Sequence, residues 1–185
     1  MTDASSDAAP RPAPAGDADL PTSPEGLLAH LEGLGIAVST VTHPPVFTVA
    51  ESRFLRGQLP GGHCKSLFLK DKRGALWLVV ADEERRVDLN GLARRLGAGR
   101  FSFASAALMW ERLGVRPGSV TPFALINDRP PQIRVVLDAG MMRQAPLHYH
   151  PLVNHMTTAI APADLLKFIE AGGHRPQIME LDGGA

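Results

Sequence analysis

One stretch, residues 61–80 (GGHCKSLFLKDKRGALWLVV), constrains the fold of this chain more than any other. Two apolar runs, 66–69 and 75–80, flank a polar segment, 70–74, that ends in glycine. This arrangement is typical of a β-hairpin. The second run is apolar almost throughout, which favours a strand that is covered on both faces. The sequence therefore predicts a layered domain organised around this hairpin.

Lys65 stands at the start of the first hairpin strand. Side chains alternate along a strand, so Lys65 shares one face with Leu67 and Leu69, and Ser66 lies on the other face. A lysine beside two leucines either extends its ammonium group to water or serves a functional site. The strand pattern alone leaves both alternatives open.

The rest of the chain predicts an α/β fold of the mixed α+β kind. Helical spacing indicates several helices, of which Ser23, Asp88 and Ser105 are expected to cap three, and a short helix is expected at 48–56. Apolar and β-branched runs indicate further strands, including one at 123–126. Helices and strands interleave irregularly, so we expect a single domain with a mixed, mostly antiparallel sheet of about seven strands, partly covered by helices.

Residues 1–21 are rich in Ala, Pro, Asp and Ser, and we expect them to be disordered because they bury too little apolar surface. The folded domain is then 22–182. The first 21 residues carry four aspartates and no apolar core, unlike a signal peptide. No apolar run approaches membrane-spanning length. These features predict a cytoplasmic protein with no membrane partner.

The charge balance limits the kinds of partner. Lysine and arginine together number 19, as do aspartate and glutamate, so the net charge is zero. A protein that coats nucleic acid through bulk electrostatics is strongly basic, so we expect no DNA partner and recognition of one small nucleic-acid feature at most. Cys64 is the only cysteine, which excludes an intramolecular disulfide framework and a cysteine-cluster metal site. It is expected to be a buried, inert thiol.

Three histidines, His148, His150 and His155, invite comparison with a metal site. No HExxH pattern accompanies them, and no Asp or Glu lies within 147–160. Structural or orienting roles are therefore the stronger prediction for most of these imidazoles.

Gly118 lies in a loop, 116–122, that has a proline on each side of it. A stiffened glycine turn of this kind can expose backbone N–H groups to a carbonyl or a developing oxyanion. The same spacing also fits an ordinary tight loop, so the pattern by itself leaves both interpretations open.

Five motifs, taken together and in order, resemble a known family. They are HPPVFT at 43–48, CKSLFLKD at 64–71, LGVRPGSVTP at 113–122, HPLVN at 150–154 and GHRP at 173–176. The chain resembles the YbaK/prolyl-tRNA-synthetase-associated editing domain family, and within it the free-standing deacylases that hydrolyse Ala-tRNA(Pro). The resemblance spans about residues 24–181 and leaves the N-terminal segment outside.

The resemblance implies a mixed-sheet α/β fold and a site without metal or other cofactor. The implied catalytic residues are Lys65, Gly118 and His150, and the implied substrate-binding residues are Ser66, Ser119, Pro122 and Asn154. One departure is visible, because the deacylases usually have asparagine where this chain has Ser66. Serine keeps a hydroxyl donor but has a shorter reach than asparagine.

These residues fit the hydrolysis of an aminoacyl ester. Backbone N–H groups near Gly118 could hold the carbonyl oxygen, and Lys65 could bind the phosphate or carbonyl of the terminal adenosine as a point charge. His150 could shape the amino-acid pocket or position water, and the free ribose 2′-OH of the substrate is the other candidate for activating water.

The predicted function is that of a trans-editing deacylase acting on Ala-tRNA(Pro). Its expected partners are the acceptor end of mischarged tRNA(Pro) and, as a further candidate, prolyl-tRNA synthetase. Two alternatives stay open at this point: deacylation of Cys-tRNA(Pro) or another small amino acid, and a non-catalytic tRNA- or synthetase-binding module. The presence of Lys65, Gly118 and His150 together argues against the module.

Overall fold

The computed structural model describes residues 17–45 and 57–181, so the predicted helix at 48–56 lies outside the described residues. The helices are α1 (Pro24–Gly33), α2 (Leu89–Arg95), α3 (Ala106–Leu113) and α4 (Pro162–Ala171). The strands are β1 (Ser39–Thr42), β2 (Gly62–Asp71), β3 (Leu76–Asp82), β4 (Phe101–Phe103), β5 (Arg134–Asp138), β6 (Leu147–Tyr149), β7 (Met156–Ile160) and β8 (Gln177–Met179). Three short 3₁₀ helices also lie in this part of the chain.

The three predicted helix caps are confirmed. The side chain of Ser23 accepts a hydrogen bond from Gly26 N at 3.0 Å at the start of α1. Asp88 and Ser105 do the same for the first turns of α2 and α3. Each cap satisfies one of the N–H groups that a helix start leaves without a partner.

The eight strands form one sheet in the order β1-β7-β6-β2-β3-β5-β8, with β4 also paired to β2. The pairs β1–β7, β2–β3, β2–β4 and β6–β7 are antiparallel, and β2–β6, β3–β5 and β5–β8 are parallel. The predicted mixed, mostly antiparallel sheet is therefore confirmed, and the hairpin of β2 and β3 lies at its centre.

The edge of β2 that faces away from β3 is shared by two strands. β6 pairs with Gly62 and His63 at its start, whereas β4 pairs with it from Leu69 onward. Ala104 N also donates to Phe68 O at 2.9 Å beside β4. Residues 64–67 lie between these two partners, and Lys65 is in this interval.

β3 is covered on both faces, as its composition predicts. Leu78 and Val80 belong to the larger hydrophobic cluster of the domain, whereas Trp77 and Val79 belong to a second cluster beneath α2. All four side chains are at most 1% exposed. Two-sided burial fixes the register of the hairpin, because a slip by one residue would exchange the two faces.

The predicted strand at 123–126 is wrong, because this segment is part of a 3₁₀ helix, Pro122–Asn127. Proline has a φ that suits a first helical position, and the Thr121 hydroxyl oxygen accepts a hydrogen bond from Phe123 N at 3.3 Å. A short apolar run does not distinguish a strand from a buried helical turn by its pattern. β4 was not predicted.

Candidate active site

Lys65 does not extend into water. Its Nζ donates hydrogen bonds to two main-chain carbonyl oxygens that follow the end of β3, those of Glu83, at 3.1 Å, and Arg85. The register of the hairpin explains this contact, because Lys65 lies opposite Ala81, and the chain beyond β3 then turns beneath the lysine. Two of the three donors of the ammonium group are thus occupied by the protein.

His150 directly follows β6. The parallel register of β2 and β6 pairs His63 with His148, so its continuation by two residues brings His150 level with Lys65. His150 Nδ1 is 2.8 Å from Met156 O, and because a carbonyl only accepts, Nδ1 carries the proton. Nε2 is then the acceptor of the neutral ring, and it has no hydrogen-bond partner among the residues that the structure describes.

Burial lowers the pKa of His150 below its ordinary value, and the nearby His43 lowers it further. The hydrogen bond to Met156 O and the carboxylate of Glu83 act in the opposite direction without cancelling the effect of burial. The imidazole is therefore neutral near pH 7, with a lone pair on Nε2. Glu83 connects the two halves of this region, since its carbonyl binds Lys65 and its carboxylate acts on His150.

His43 is a neighbour of this site that was not among the predicted site residues. Its ring centroid is 6.2 Å from that of His150, and its main-chain N donates to His155 O at 2.9 Å. Nδ1 is 2.8 Å from Pro44 O, and Nε2 is 2.8 Å from the hydroxyl oxygen of Thr157. The HPPVFT motif that begins at this residue was the signal that could have found it.

Gly118 is the third residue of a tight turn. Ser119 N donates to Arg116 O at 3.0 Å, Pro117 is the second residue, and Gly118 has φ +90°. A proline followed by a glycine of positive φ is the signature of a type II turn, which a side chain at Gly118 would strain. Gly118 is exposed, and its N–H donates to no acceptor within residues 17–45 and 57–181.

The turn of Gly118 meets the loop that follows His150. A Cβ built on Gly118 would lie 4.0 Å from the side-chain nitrogen of Asn154. Between His150 and Asn154, Leu152 has φ +73° although its side chain is almost fully buried. Left-handed backbone costs a leucine about 1–2 kcal/mol, and packing in the main core holds it there. The loop therefore places Asn154 beside the Gly118 turn, and the backbone of Leu152 is strained in doing so.

The other predicted site residues lie deeper in the fold. Ser66 is half-buried on the opposite face of β2 from Lys65, across from Val80. Ser119 is 7% exposed, and Pro122 is buried at the start of its 3₁₀ helix. The structure thus brings Gly118 close to Asn154 and links Lys65 and His150 through Glu83. It does not bring Ser66, Ser119 and Pro122 into contact with these groups.

The remaining polar groups near the first strands make structural contacts, although Nδ1 of the buried His148 has no hydrogen-bond partner among the described residues. His148 stacks on His63 with ring centroids 4.9 Å apart, and their Nε2 atoms lie 2.9 Å from Pro60 O and 2.8 Å from Leu59 O, respectively. His148 is thus engaged with His63 and with the main chain before β2. Burial raises the pKa of the Cys64 thiol to about 12, so it is not a thiolate nucleophile near neutral pH.

Comparison with known proteins gives a consistent assignment. Residues 43–168 match the model of the aminoacyl-tRNA editing domain family. The chain is 40% identical over 154 residues to the prolyl-tRNA synthetase associated domain-containing protein 1 of Danio rerio, covering 82% of this chain and 84% of the other. It is 31% identical over 158 residues to the prolyl-tRNA editing protein ProX of Acetoanaerobium sticklandii, covering 85% and 96%.

The fold is also that of a solved structure described as a candidate trans-editing enzyme for prolyl-tRNA synthetase. The two structures superpose with a TM-score of 0.69 at 21% identity, covering 87% of this chain and 97% of the other. At this identity the likeness extends to the fold alone. Among the described residues, no helix combines the length and the apolar character needed to span a membrane.

Proposed function

The chain belongs to the family of aminoacyl-tRNA editing domains, and we propose that it is a cytoplasmic trans-editing deacylase that hydrolyses Ala-tRNA(Pro). The observation that carries the proposal is a lysine ammonium group held by two carbonyl oxygens, one of them from Glu83, whose carboxylate also acts on the neutral imidazole of His150. Ester hydrolysis needs a positive charge that stabilises the oxyanion and a group that accepts a proton or hydrogen bond from water.

In the proposed reaction, a water molecule attacks the carbonyl carbon of the alanyl ester. Nε2 of His150 positions the water by accepting one of its hydrogen bonds, and the substrate 2′-OH is a second group that can assist. The new C–O bond forms as the carbonyl oxygen becomes an oxyanion. The ester bond to the ribose oxygen then breaks, and the proton lost by water goes to that oxygen. The products are free alanine and tRNA(Pro).

The oxyanion is stabilised from two directions. The N–H of Gly118 is a preorganised donor, because the type II turn fixes its direction before the substrate arrives. The third donor of the Lys65 ammonium group provides a positive charge. Removal of one such contact typically costs about a hundredfold in rate.

Arg116 is placed to contact the tRNA backbone. It is exposed at the start of the Gly118 turn, and its guanidinium group lies 4.5 Å from the centre of the Trp110 ring. Stacking orders the guanidinium group while its N–H donors stay at the edge, where they can bind a phosphate. Because the chain has no net charge, tRNA affinity depends on a few contacts of this kind.

Amino-acid selectivity follows from size. A synthetase site built for proline cannot fully reject alanine, because missing methylenes are worth only about 1–3 kcal/mol. A second, smaller pocket admits alanine and excludes proline by steric conflict. We place this pocket between Lys65, the Gly118 turn and His150, with Asn154 at its margin.

The test is a deacylation assay with tRNA(Pro) charged separately with alanine, cysteine and proline. We expect hydrolysis of Ala-tRNA(Pro) and sparing of Pro-tRNA(Pro). Preferential hydrolysis of Cys-tRNA(Pro) would reassign the specificity, and equal rates for alanine and proline would exclude a size-selective pocket. Binding of tRNA(Pro) or prolyl-tRNA synthetase without hydrolysis of any ester would identify a non-catalytic module.

A further inference from the structure

We propose that Arg85 is a positioning residue for Lys65 and acts through an ion pair with the buried carboxylate of Asp138; this inference rests on the proposed function. Two parts of Arg85 make separate contacts. Its main-chain oxygen accepts a hydrogen bond from Lys65 Nζ, and its side-chain Nε lies 3.2 Å from Asp138 Oδ2. The carboxylate thereby fixes the residue whose carbonyl holds the ammonium group.

Asp138 is suited to act as a fixed anchor. It is the last residue of β5 and has no exposed surface. Besides Arg85, its carboxylate accepts hydrogen bonds from the main-chain N–H groups of Gly140, at 3.3 Å, Met141, at 3.2 Å, and Leu181, at 3.4 Å. A buried carboxylate with several fixed donors has one orientation, so it transmits the position of β5 to the arginine.

Gly140 provides a second, independent observation. A Cβ built on this residue would collide with Nη2 of Arg85, so the guanidinium group occupies the space that any other residue would fill. The backbone of Gly140, at φ −64° and ψ −44°, is one that every amino acid adopts without strain. A side chain at this position would therefore force the guanidinium group of Arg85 to move.

The segment that carries the two carbonyls is fixed at its other end as well. Gln144 Nε2 donates to Asp82 Oδ2 at 2.7 Å, and Arg85 N donates to Asp82 O at 3.1 Å. Lysine has a flexible four-carbon side chain, so the position of its ammonium group depends on the acceptors around it. A displacement of about 1 Å at a reacting centre can cost up to a hundredfold in rate.

The competing explanation is that the ion pair only stabilises the fold. Asp138 variants do not separate the two, because they also abandon three main-chain donors. Arg85→Met keeps the carbonyl and removes the anchor, and Gly140→Ala displaces the guanidinium group without changing either charged residue. The matched controls are Arg86→Met, which alters an exposed neighbouring arginine, and Gly33→Ala, where a Cβ meets nothing within 4 Å.

The first measurement reports on the ammonium group directly. The chain has only four lysines, so the ¹⁵N ammonium signals in the NMR spectrum are few, and a Lys65→Met variant assigns that of Lys65. We expect this signal to be visible in the unmodified protein and in both controls, because carbonyl acceptors slow its proton exchange. It should broaden or disappear in Arg85→Met and Gly140→Ala, and an unchanged signal in both overturns the inference.

The second measurement is single-turnover hydrolysis of Ala-tRNA(Pro). In Arg85→Met we expect the maximal rate to fall roughly ten- to a hundredfold, with the half-saturating enzyme concentration nearly unchanged. Arg85→Lys should recover part of the rate, and the fall should be much smaller in a Lys65→Met background, because coupled residues are not additive. The positioning role is overturned if Arg85→Met causes an equal fall in the Lys65→Met background. It is also overturned if the rates of the variants differ only as their melting temperatures do.

The two proposals fail in distinguishable ways. If the unmodified protein hydrolyses no aminoacyl-tRNA(Pro), the proposed function is wrong, and the NMR comparison still decides whether Arg85 positions Lys65. If the unmodified protein hydrolyses Ala-tRNA(Pro) and Arg85→Met does so at the same rate, the positioning role is wrong and the proposed function stands.

Discussion

The two halves of the candidate site are built in different ways. Lys65 belongs to the central hairpin, and its ammonium group is held by main-chain oxygens of the segment after β3. The opposite half is made of two loops, in which Gly118 and Leu152 both have positive φ. One half therefore depends on a side chain and its acceptors, whereas the other depends on the shape of the backbone.

This difference determines which substitutions affect each half. Truncating a side chain to alanine tests the Lys65 half but leaves a main-chain donor such as Gly118 N–H in place. The loop half is tested by adding a side chain at a glycine of positive φ, where a side chain is strained. Side-chain truncation can therefore disrupt the Lys65 half, and an added side chain can disrupt the loop half.

The largest effect is expected from Lys65→Ala. Loss of the ammonium group removes a charge contact to the transition state, and we expect the rate of Ala-tRNA(Pro) hydrolysis to fall about a hundredfold, or ~3 kcal/mol. The fold should persist, because the side chain is only partly buried and alanine leaves no charge behind. Lys70→Ala, which alters an exposed lysine on the same strand, is the control and should be as active as the unmodified protein.

Gly118→Ala should break the loop half. A residue with a side chain is strained by about 1–2 kcal/mol at φ +90°, so the turn rearranges or its N–H changes direction. We expect hydrolysis to slow roughly tenfold. Gly74→Ala is a closely matched control, since Gly74 has φ +89° in the hairpin turn and open space around it. If the two variants lose stability and activity to the same extent, Gly118 has no special role in catalysis.

The part of the fold that could be predicted is the part in which side chains carry the information. The apolar run of β3 indicates burial on both faces, and the capping residues indicate the starts of α1, α2 and α3. The 3₁₀ helix at Pro122–Asn127 was mistaken for a strand because its apolar run is too short to show a period.

In the candidate site, too, the features that side chains carry could be predicted, and those of the backbone could not. Lys65 and His150 are visible in the sequence because their side chains carry chemistry. The carbonyl acceptors of Glu83 and Arg85 are not visible, since every residue has a carbonyl and only the fold brings these two beneath Lys65. Leu152 likewise gives no signal of its positive φ, because leucine is a residue that ordinarily avoids it.

A smaller effect is expected from the titration of His150. Nε2 accepts a hydrogen bond only when the ring is neutral, so hydrolysis should decline as the pH falls through the pKa of this residue. Because burial lowers that pKa, activity should persist to a lower pH than an ordinary histidine would allow. His150→Ala should reduce the rate less than Lys65→Ala does and should remove this acidic limb. An acidic limb that is unchanged in His150→Ala would assign it to another group.

The smallest effect is expected from truncation of the N-terminal segment, which contacts the chain just before the Gly118 turn. Pro21 packs against Gly114 so closely that a Cβ on this glycine would collide with it, and the Thr22 hydroxyl donates to Asn127 Oδ1 at 2.7 Å. Gly114 precedes the first residue of the Gly118 turn by two residues, so Pro21 supports the base of that turn. Removing residues 1–16 should therefore leave the melting temperature and the rate of deacylation unchanged. Removing residues 1–21 deletes this support and should slightly lower both the melting temperature and the rate of deacylation. The cause of the lower rate is then the loss of contact at the base of the Gly118 turn. A large loss from the shorter deletion would show that residues 1–16, contrary to the expectation from their composition, contribute to the folded domain.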